Sequence, residues 1–237
     1  MSIAGNIAKI EERIQKACVN AGRKRDEITL MGVSKFEPVE KLEQAYRAGV
    51  RCFGESRVKE AVDKLTGFKT KQIEAQIHLI GSLQRNKAKQ AALFFDCIQS
   101  LDREELITEL AKHSVSRSES LSVLFELHTG EESKSGFAVN NVSDFDALFK
   151  AVDLVLNCKS LKPAGLMTMA PFTEDTSLIR ASFRQLVKAQ KELEKRFPSN
   201  DGNVNWTVLS MGMSNDYEIA IEEGSTLLRI GSAIFKE

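Results

Sequence analysis

The chain has 237 residues, 42% hydrophobic and 28% charged, and its 33 Lys+Arg balance 33 Asp+Glu to a formal net charge of zero. This is the composition of an ordinary globular chain, with no overall charge that would call for nucleic acid or an anionic membrane surface. Cys18, Cys52, Cys97, Cys158, His78, His113 and His128 show no metal-ligand or CxxC spacing, and there is no secretory leader pattern or run of about 18 apolar residues; a reducing, cytoplasmic setting is expected.

Residues 4–20 place Ile7, Ile10, Ile14 and Cys18 on one helical face, with Gly22 as the stop. The stretch 28–34 is a strand that delivers Lys35 to its carboxyl end, and Pro38 opens a helix over 38–48 closed by Gly49. A strand at 50–53 is followed by a helix over 56–66 ending at Gly67. Next come a strand at 76–80, a short helix to about 92 and a strand at 93–99. Asp102, with Glu105 three residues on, predicts the cap of a helix to about 116.

A strand at 121–127 leads into His128-Thr129-Gly130 and a polar loop over 131–136; Ser143 with Asp146 predicts the start of a helix over 144–150. The stretch 151–161 reads equally as helix end or irregular chain. A strand at 164–169 precedes a helix over 175–197, whose apolar positions include Leu178, Phe183, Leu186 and Leu193 and which Pro198 ends. Asp201-Gly202 reads as a turn, 204–209 as a strand, 215–223 as a helix closed by Gly224, and 226–230 as the last strand.

Eight strands alternating with helices predict a (β/α)8 TIM barrel in one domain over 1–237, with an additional N-terminal helix. A doubly wound sheet is the alternative, but no GxGxxG follows the first strand. In a barrel the loops after the strands share one face. These loops carry Lys35, Glu55-Ser56, Gly81-Ser82 with Asn86, His128-Thr129, Thr168-Met169, Ser210 to Ser214 and Gly231-Ser232. The last two follow strands seven and eight, where barrels commonly hold a phosphate, and the helix from Asn215 aims its amino terminus there.

A lysine at a strand end could lie over an apolar floor and lose hydration, which favours its nucleophilic form, although snorkelling explains such a residue too. A strand-end lysine with a phosphate nest points to pyridoxal 5'-phosphate held as a Schiff base on Lys35. An aldolase-like reaction on a sugar phosphate is the alternative, with Glu37, Glu55 or Tyr46 as proton shuttle. The basic run Arg85, Lys87 and Lys89 reads first as a solvated helix face, although Arg85 and Lys87 could widen a positive rim. His78 reads as a hydrogen-bonded histidine of a strand interior, and the methionines at 167, 169, 211 and 213 as packing at the barrel end.

The motifs are Val33-Ser34-Lys35, Phe53 to Glu60, His78 to Lys87, Ser133-Lys134-Ser135-Gly136, Gly165 to Met169, Leu209-Ser210-Met211-Gly212-Met213-Ser214 and Arg229 to Phe235. With these the sequence resembles, from Ile28 to Phe235, the pyridoxal phosphate homeostasis proteins, a family similar to the barrel domain of alanine racemase. The resemblance implies that Lys35 carries the cofactor. It implies phosphate contacts from Ser210, Gly231 and Ser232, and Arg229 toward the pyridine nitrogen. Met211, Gly212, Ser214, Asn86, Ser56 and His78 complete the expected contacts. Members bind the cofactor and influence vitamin B6 and amino-acid pools without established turnover, as monomers that could meet amino acids and cofactor-dependent client enzymes transiently. The sequence departs from the family's usual residues at Ser56, Ile77, His128, Ala164 and Ser232.

A racemase remains the alternative. It would need a base on each face of the bound group, and the chain offers only Tyr46 and Tyr217 as partners for Lys35. A degenerate barrel serving as an adaptor is a third reading.

Overall fold

In the computed structural model, which describes residues 2–70, 73–129, 135–139, 141, 144–199 and 204–236, the chain opens with helix α1 (Ile3–Asn20). Ser2 caps it by accepting from the Gly5 N–H, and Ile3, Ile7, Ile10, Ile14 and Cys18 form its buried stripe. Gly22, at φ 66°, turns the chain away in the left-handed region. The strands that follow are β1 (Thr29–Val33), β2 (Cys52–Glu55), β3 (Gln76–Leu79), β4 (Cys97–Leu101), β5 (Leu121–His128), β6 (Phe137–Ala138), β7 (Leu161–Met167), β8 (Val208–Ser210) and β9 (Leu227–Ile230). Between and after them lie α2 (Val39–Arg47), α3 (Val58–Thr70), α4 (Ala88–Phe94), α5 (Glu104–Ser114), α6 (Phe145–Leu156), α7 (Thr176–Arg196), α8 (Tyr217–Glu222) and α9 (Ser232–Phe235).

Every pairing is parallel. The order β4-β3-β2-β1-β9-β8-β7-β5 is closed by a β4–β5 pairing into an eight-stranded TIM barrel, with β6 a two-residue addition on β5. Alternation along the strands sorts side chains into two layers. One face packs under the helices in the main core. The other fills the barrel with two small clusters, Met31, Cys52 and Leu227 in one and Cys97, Leu124 and Met167 in the other. Burial raises the thiols of Cys52 and Cys97 far above their ordinary range, so both act as small apolar groups. The two ends of the described chain are tied together by Asn6, whose side-chain amide donates to Ile234 O (3.0 Å) and Lys236 O (2.9 Å).

Several boundaries differ from expectation. The apolar pair Leu93-Phe94 ends α4 instead of opening a strand, and β4 starts at Cys97. α3 runs through Gly67, α6 extends over the ambiguous stretch to Leu156, and β7 begins at Leu161. Strand β8 is confined to Val208–Ser210, and β6 and α9 were not anticipated. Arg103, not Asp102, occupies the cap of α5, because the Asp102 carboxylate accepts from the Arg103 guanidinium at 2.6 Å. Leu178 is exposed; α7 buries Ile179, Phe183, Leu186, Ala189 and Leu193 instead. Gly130, most of the 131–136 loop with Ser133 and Lys134, Ser143 and the 201–202 turn lie outside the described residues.

Candidate functional site

The carboxyl ends of the strands build the site in two tiers. The lower tier is a hydrogen-bonded chain inside the barrel. Arg229 on β9, 4% exposed, donates through Nη1 to Ser210 O (2.6 Å) and Ser210 Oγ (2.7 Å), and through Nη2 to Thr168 O (2.7 Å). Ser210 Oγ donates onward to Gln99 Oε1 (2.7 Å), the Gln99 amide lies 2.9 Å from His78 Nδ1, and His78 Nε2 lies 3.1 Å from Gln76 Oε1. Guanidinium can only donate, so it gives the chain one direction: each member passes a donor to the next, and His78 carries its proton on Nε2.

Burial lowers the His78 pKa to about 4, so the ring is neutral at neutral pH. Burial also lowers Arg229, to about 10, while Asp216 and Glu126 act to raise it; the guanidinium keeps its charge. Those two carboxyls are themselves shifted upward by burial, and each has a local donor: Ser135 Oγ on Glu126 (2.8 Å) and the Met213 N–H on Asp216 (2.5 Å). A second buried set joins Thr168 Oγ1 to Thr129 Oγ1 and Thr129 Oγ1 to Ser182 Oγ, both at 2.6 Å.

The upper tier is the open rim. Lys35 follows β1 and is exposed, without a hydrogen-bonding or ionic partner among the described residues. β1 and β9 are paired, and a Cβ on Gly231 would stand 3.3 Å from that of Val33, so Lys35 and Ser232 leave neighbouring strand ends. Ser232 Oγ reaches Ser214 Oγ at 3.4 Å, which joins the loops after β8 and β9. Among the described residues, the N–H groups of Ser214, Gly231, Ser232 and Ala233 find no acceptor in the protein. Gly212, at φ 96°, bends the β8 loop where a Cβ would lie 2.6 Å from that of Ala220. His128, at the end of β5, adds a buried Nε2 without a partner among the described residues. Unspent amides, two hydroxyls, a buried cation and a free amine suit a small phosphorylated ligand that carries an aldehyde.

The expected contacts therefore separate. Lys35, Ser214, Gly231 and Ser232 gather at the rim, with half-buried Ser56 and exposed Asn86 on the loops after β2 and β3. Arg229 and His78 lie in the buried chain, and so does the Ser210 hydroxyl, which Gln99 and Arg229 engage instead of leaving it free for a phosphate. Met211 is fully buried on the helix side of the barrel, so its side chain is packing and no part of the mouth. Asp216 stands at the N-cap of α8, makes no side-chain hydrogen bond to the helix amides, and takes the Met213 N–H of the preceding loop on its carboxylate.

Lys35 is exposed and not buried against an apolar floor. Glu55 is buried against Lys64, Glu37 pairs with Lys41 at 3.1 Å, and Arg85 pairs with Glu109 at 2.9 Å. Tyr46 packs edge-on to Phe68, and Tyr217 is 2% exposed under Arg13 of α1; both tyrosines lie outside the barrel. Gln99 and Glu126 were missed. Each interrupts an apolar strand at an inward position, two residues from Cys97 and Leu124, and that interruption was the available signal.

The family model of the alanine racemase N-terminal domain matches residues 5–237. The chain is 37% identical over 238 residues to the pyridoxal phosphate homeostasis protein of Aquifex aeolicus (strain VF5), covering 100% of this chain and 99% of that one. It is 38% identical to the protein of that name from Vibrio cholerae, covering 100% and 96%. Among solved structures, PipY of Synechococcus elongatus PCC7942 with PLP bound superposes with a TM-score of 0.82 at 29% identity, covering 99% of this chain and 100% of that one. The chain belongs to the pyridoxal phosphate homeostasis protein family. Among the described residues no helix is long and apolar enough to cross a membrane, and no cluster of metal-ligating side chains occurs.

Proposed function

We propose that residues 1–237 act as one domain that binds pyridoxal 5'-phosphate at the barrel mouth and serves vitamin B6 and amino-acid homeostasis without turnover of its own. The observation that carries this reading is the set of unspent donors on the β8 and β9 loops beside an exposed lysine on the adjoining strand. When bound, the cofactor supplies an aldehyde that can form a Schiff base with the Lys35 amine. The amides of Ser214, Gly231, Ser232 and Ala233 and the two serine hydroxyls hold the phosphate. Arg229 retains N–H groups beyond those given to Ser210 and Thr168. Turned toward a pyridine nitrogen, they would keep it unprotonated and the ring a weak electron sink.

Proton transfer on both faces of a bound amino acid would need a second base. The chain's two tyrosines both pack on the helix side of the barrel, which favours binding over racemisation. The partners that follow are the cofactor, amino acids and cofactor-dependent client enzymes met transiently by a cytoplasmic monomer.

The test is the visible absorbance of the purified protein with and without added pyridoxal 5'-phosphate, then borohydride reduction and peptide mapping. Label on Lys35 is expected, and Lys35→Ala should abolish it with melting unchanged, because the side chain is exposed. A reduced adduct that persists in that variant would overturn the assignment.

A further inference from the structure

Lys35 lies in a turn that is gripped from a distant part of the chain. Lys64 of α3 sends its ammonium beneath this turn and donates to Ser34 O (2.8 Å) and Glu37 O (3.1 Å), the carbonyls on either side of Lys35-Phe36. Its third contact is Glu55 Oε1 at 2.7 Å, and the same oxygen accepts from Ser34 Oγ at 2.6 Å. Glu55 is 2% exposed and the Lys64 side chain 18%, so the pair works in a setting that water screens weakly. All three ammonium donors are spent. Glu37 N–H closes the turn onto Ser34 O at 3.0 Å, and Phe36 within it takes φ 68°. A bulky residue keeps that conformation only where its surroundings over-determine it, and here the clamp on both flanking carbonyls does so.

We propose that Lys64 and Glu55 are positioning residues for Lys35. Their buried pair fixes the direction in which the exposed lysine leaves the strand, and so sets how fast it captures an aldehyde. This rests on the reading of Lys35 as the attachment site. In the capture step the neutral amine nitrogen bonds to the aldehyde carbon and the carbonyl oxygen departs as water. Nothing is oxidised or reduced. An amine on a flexible stem gains rate from a fixed root, and misplacement by about 1 Å can cost up to a hundredfold. A pair that served stability alone would have no need of the two carbonyls of this turn.

The experiment follows the absorbance change on mixing the full-length, cofactor-free chain with pyridoxal 5'-phosphate, for wild type, K64M and E55Q/K64M, beside thermal unfolding of each. K64M leaves Glu55 buried without its counter-charge and should melt lower and react about tenfold more slowly or worse. E55Q/K64M removes that charge and should recover most of the melting temperature while remaining slow, with borohydride still labelling Lys35. Recovery of the wild-type rate together with stability in the double variant would overturn the positioning role alone. Absence of label on Lys35 in the wild type would overturn both this proposal and the reading of the site.

Discussion

The two tiers of the mouth differ in how their polar groups are used. In the lower tier, every donor from Arg229 to His78 that the chain uses ends on a protein acceptor, and the groups are buried. In the rim, Lys35, four backbone amides and a loosely joined serine pair are left for something else. A buried polar chain is stable only when satisfied, because each orphaned group costs its desolvation; a rim can leave groups unspent because water serves them at little cost. The lower tier therefore orients and the rim binds.

The largest effect should come from breaking the lower tier. Arg229→Met removes the donors to Ser210 and Thr168 and the cation between Glu126 and Asp216. A loss of about 3 kcal/mol in urea unfolding is expected. A loss below about 1 kcal/mol would mean that the tier is not the locked unit described.

Acid should act on the same tier. His78 is held near pKa about 4 when folded, against an ordinary 6.5. Between these values the unfolded chain takes up a proton that the folded chain refuses, so stability falls as the pH drops from 6.5 toward 4 and levels off below. The loss over that range is about 3 kcal/mol at most. It should show as an acid limb in the urea midpoint that is absent in His78→Gln.

The rim should respond in the opposite sense. Ser232→Ala changes an exposed hydroxyl, so stability should stay within about 0.5 kcal/mol. Its affinity for pyridoxal 5'-phosphate, measured by absorbance titration, should weaken by roughly fivefold for the loss of one hydrogen bond. A large stability loss with unchanged affinity would reverse the division of labour between the tiers.

The barrel was legible because glycines and polar residues punctuate the chain where strands hand over to helices, as at Lys35, Ser56 and Gly231. The errors cluster where local pattern and tertiary packing compete. Leu93 and Phe94 read as strand by composition, yet they finish α4, whose buried face runs through Ala88, Ala91 and Ala92 and leaves Leu93 exposed. Asp102 has a cap's chemistry, but the arginine beside it takes the carboxylate.

In the site, the rim residues were legible as loop serines and glycines. The depth of Ser210 was not, because one residue of register decides whether a hydroxyl meets solvent or turns inward to Arg229. Gln99 stayed hidden for a related reason, since its partners Ser210 and His78 come from other strands, and Glu126 because the cation that acts on it, Arg229, lies on β9.

Asn6 is bonded to carbonyls 228 and 230 residues away, and β1 finds one of its two neighbours only when β9 has been made. The ring therefore closes only after the last strand has been made. At about 5–20 residues per second, β1 waits roughly 10–40 s for that neighbour, with one strand edge open to any passing chain. This topology therefore leaves an open strand edge to be shielded during synthesis, before the stability of the finished barrel comes into play.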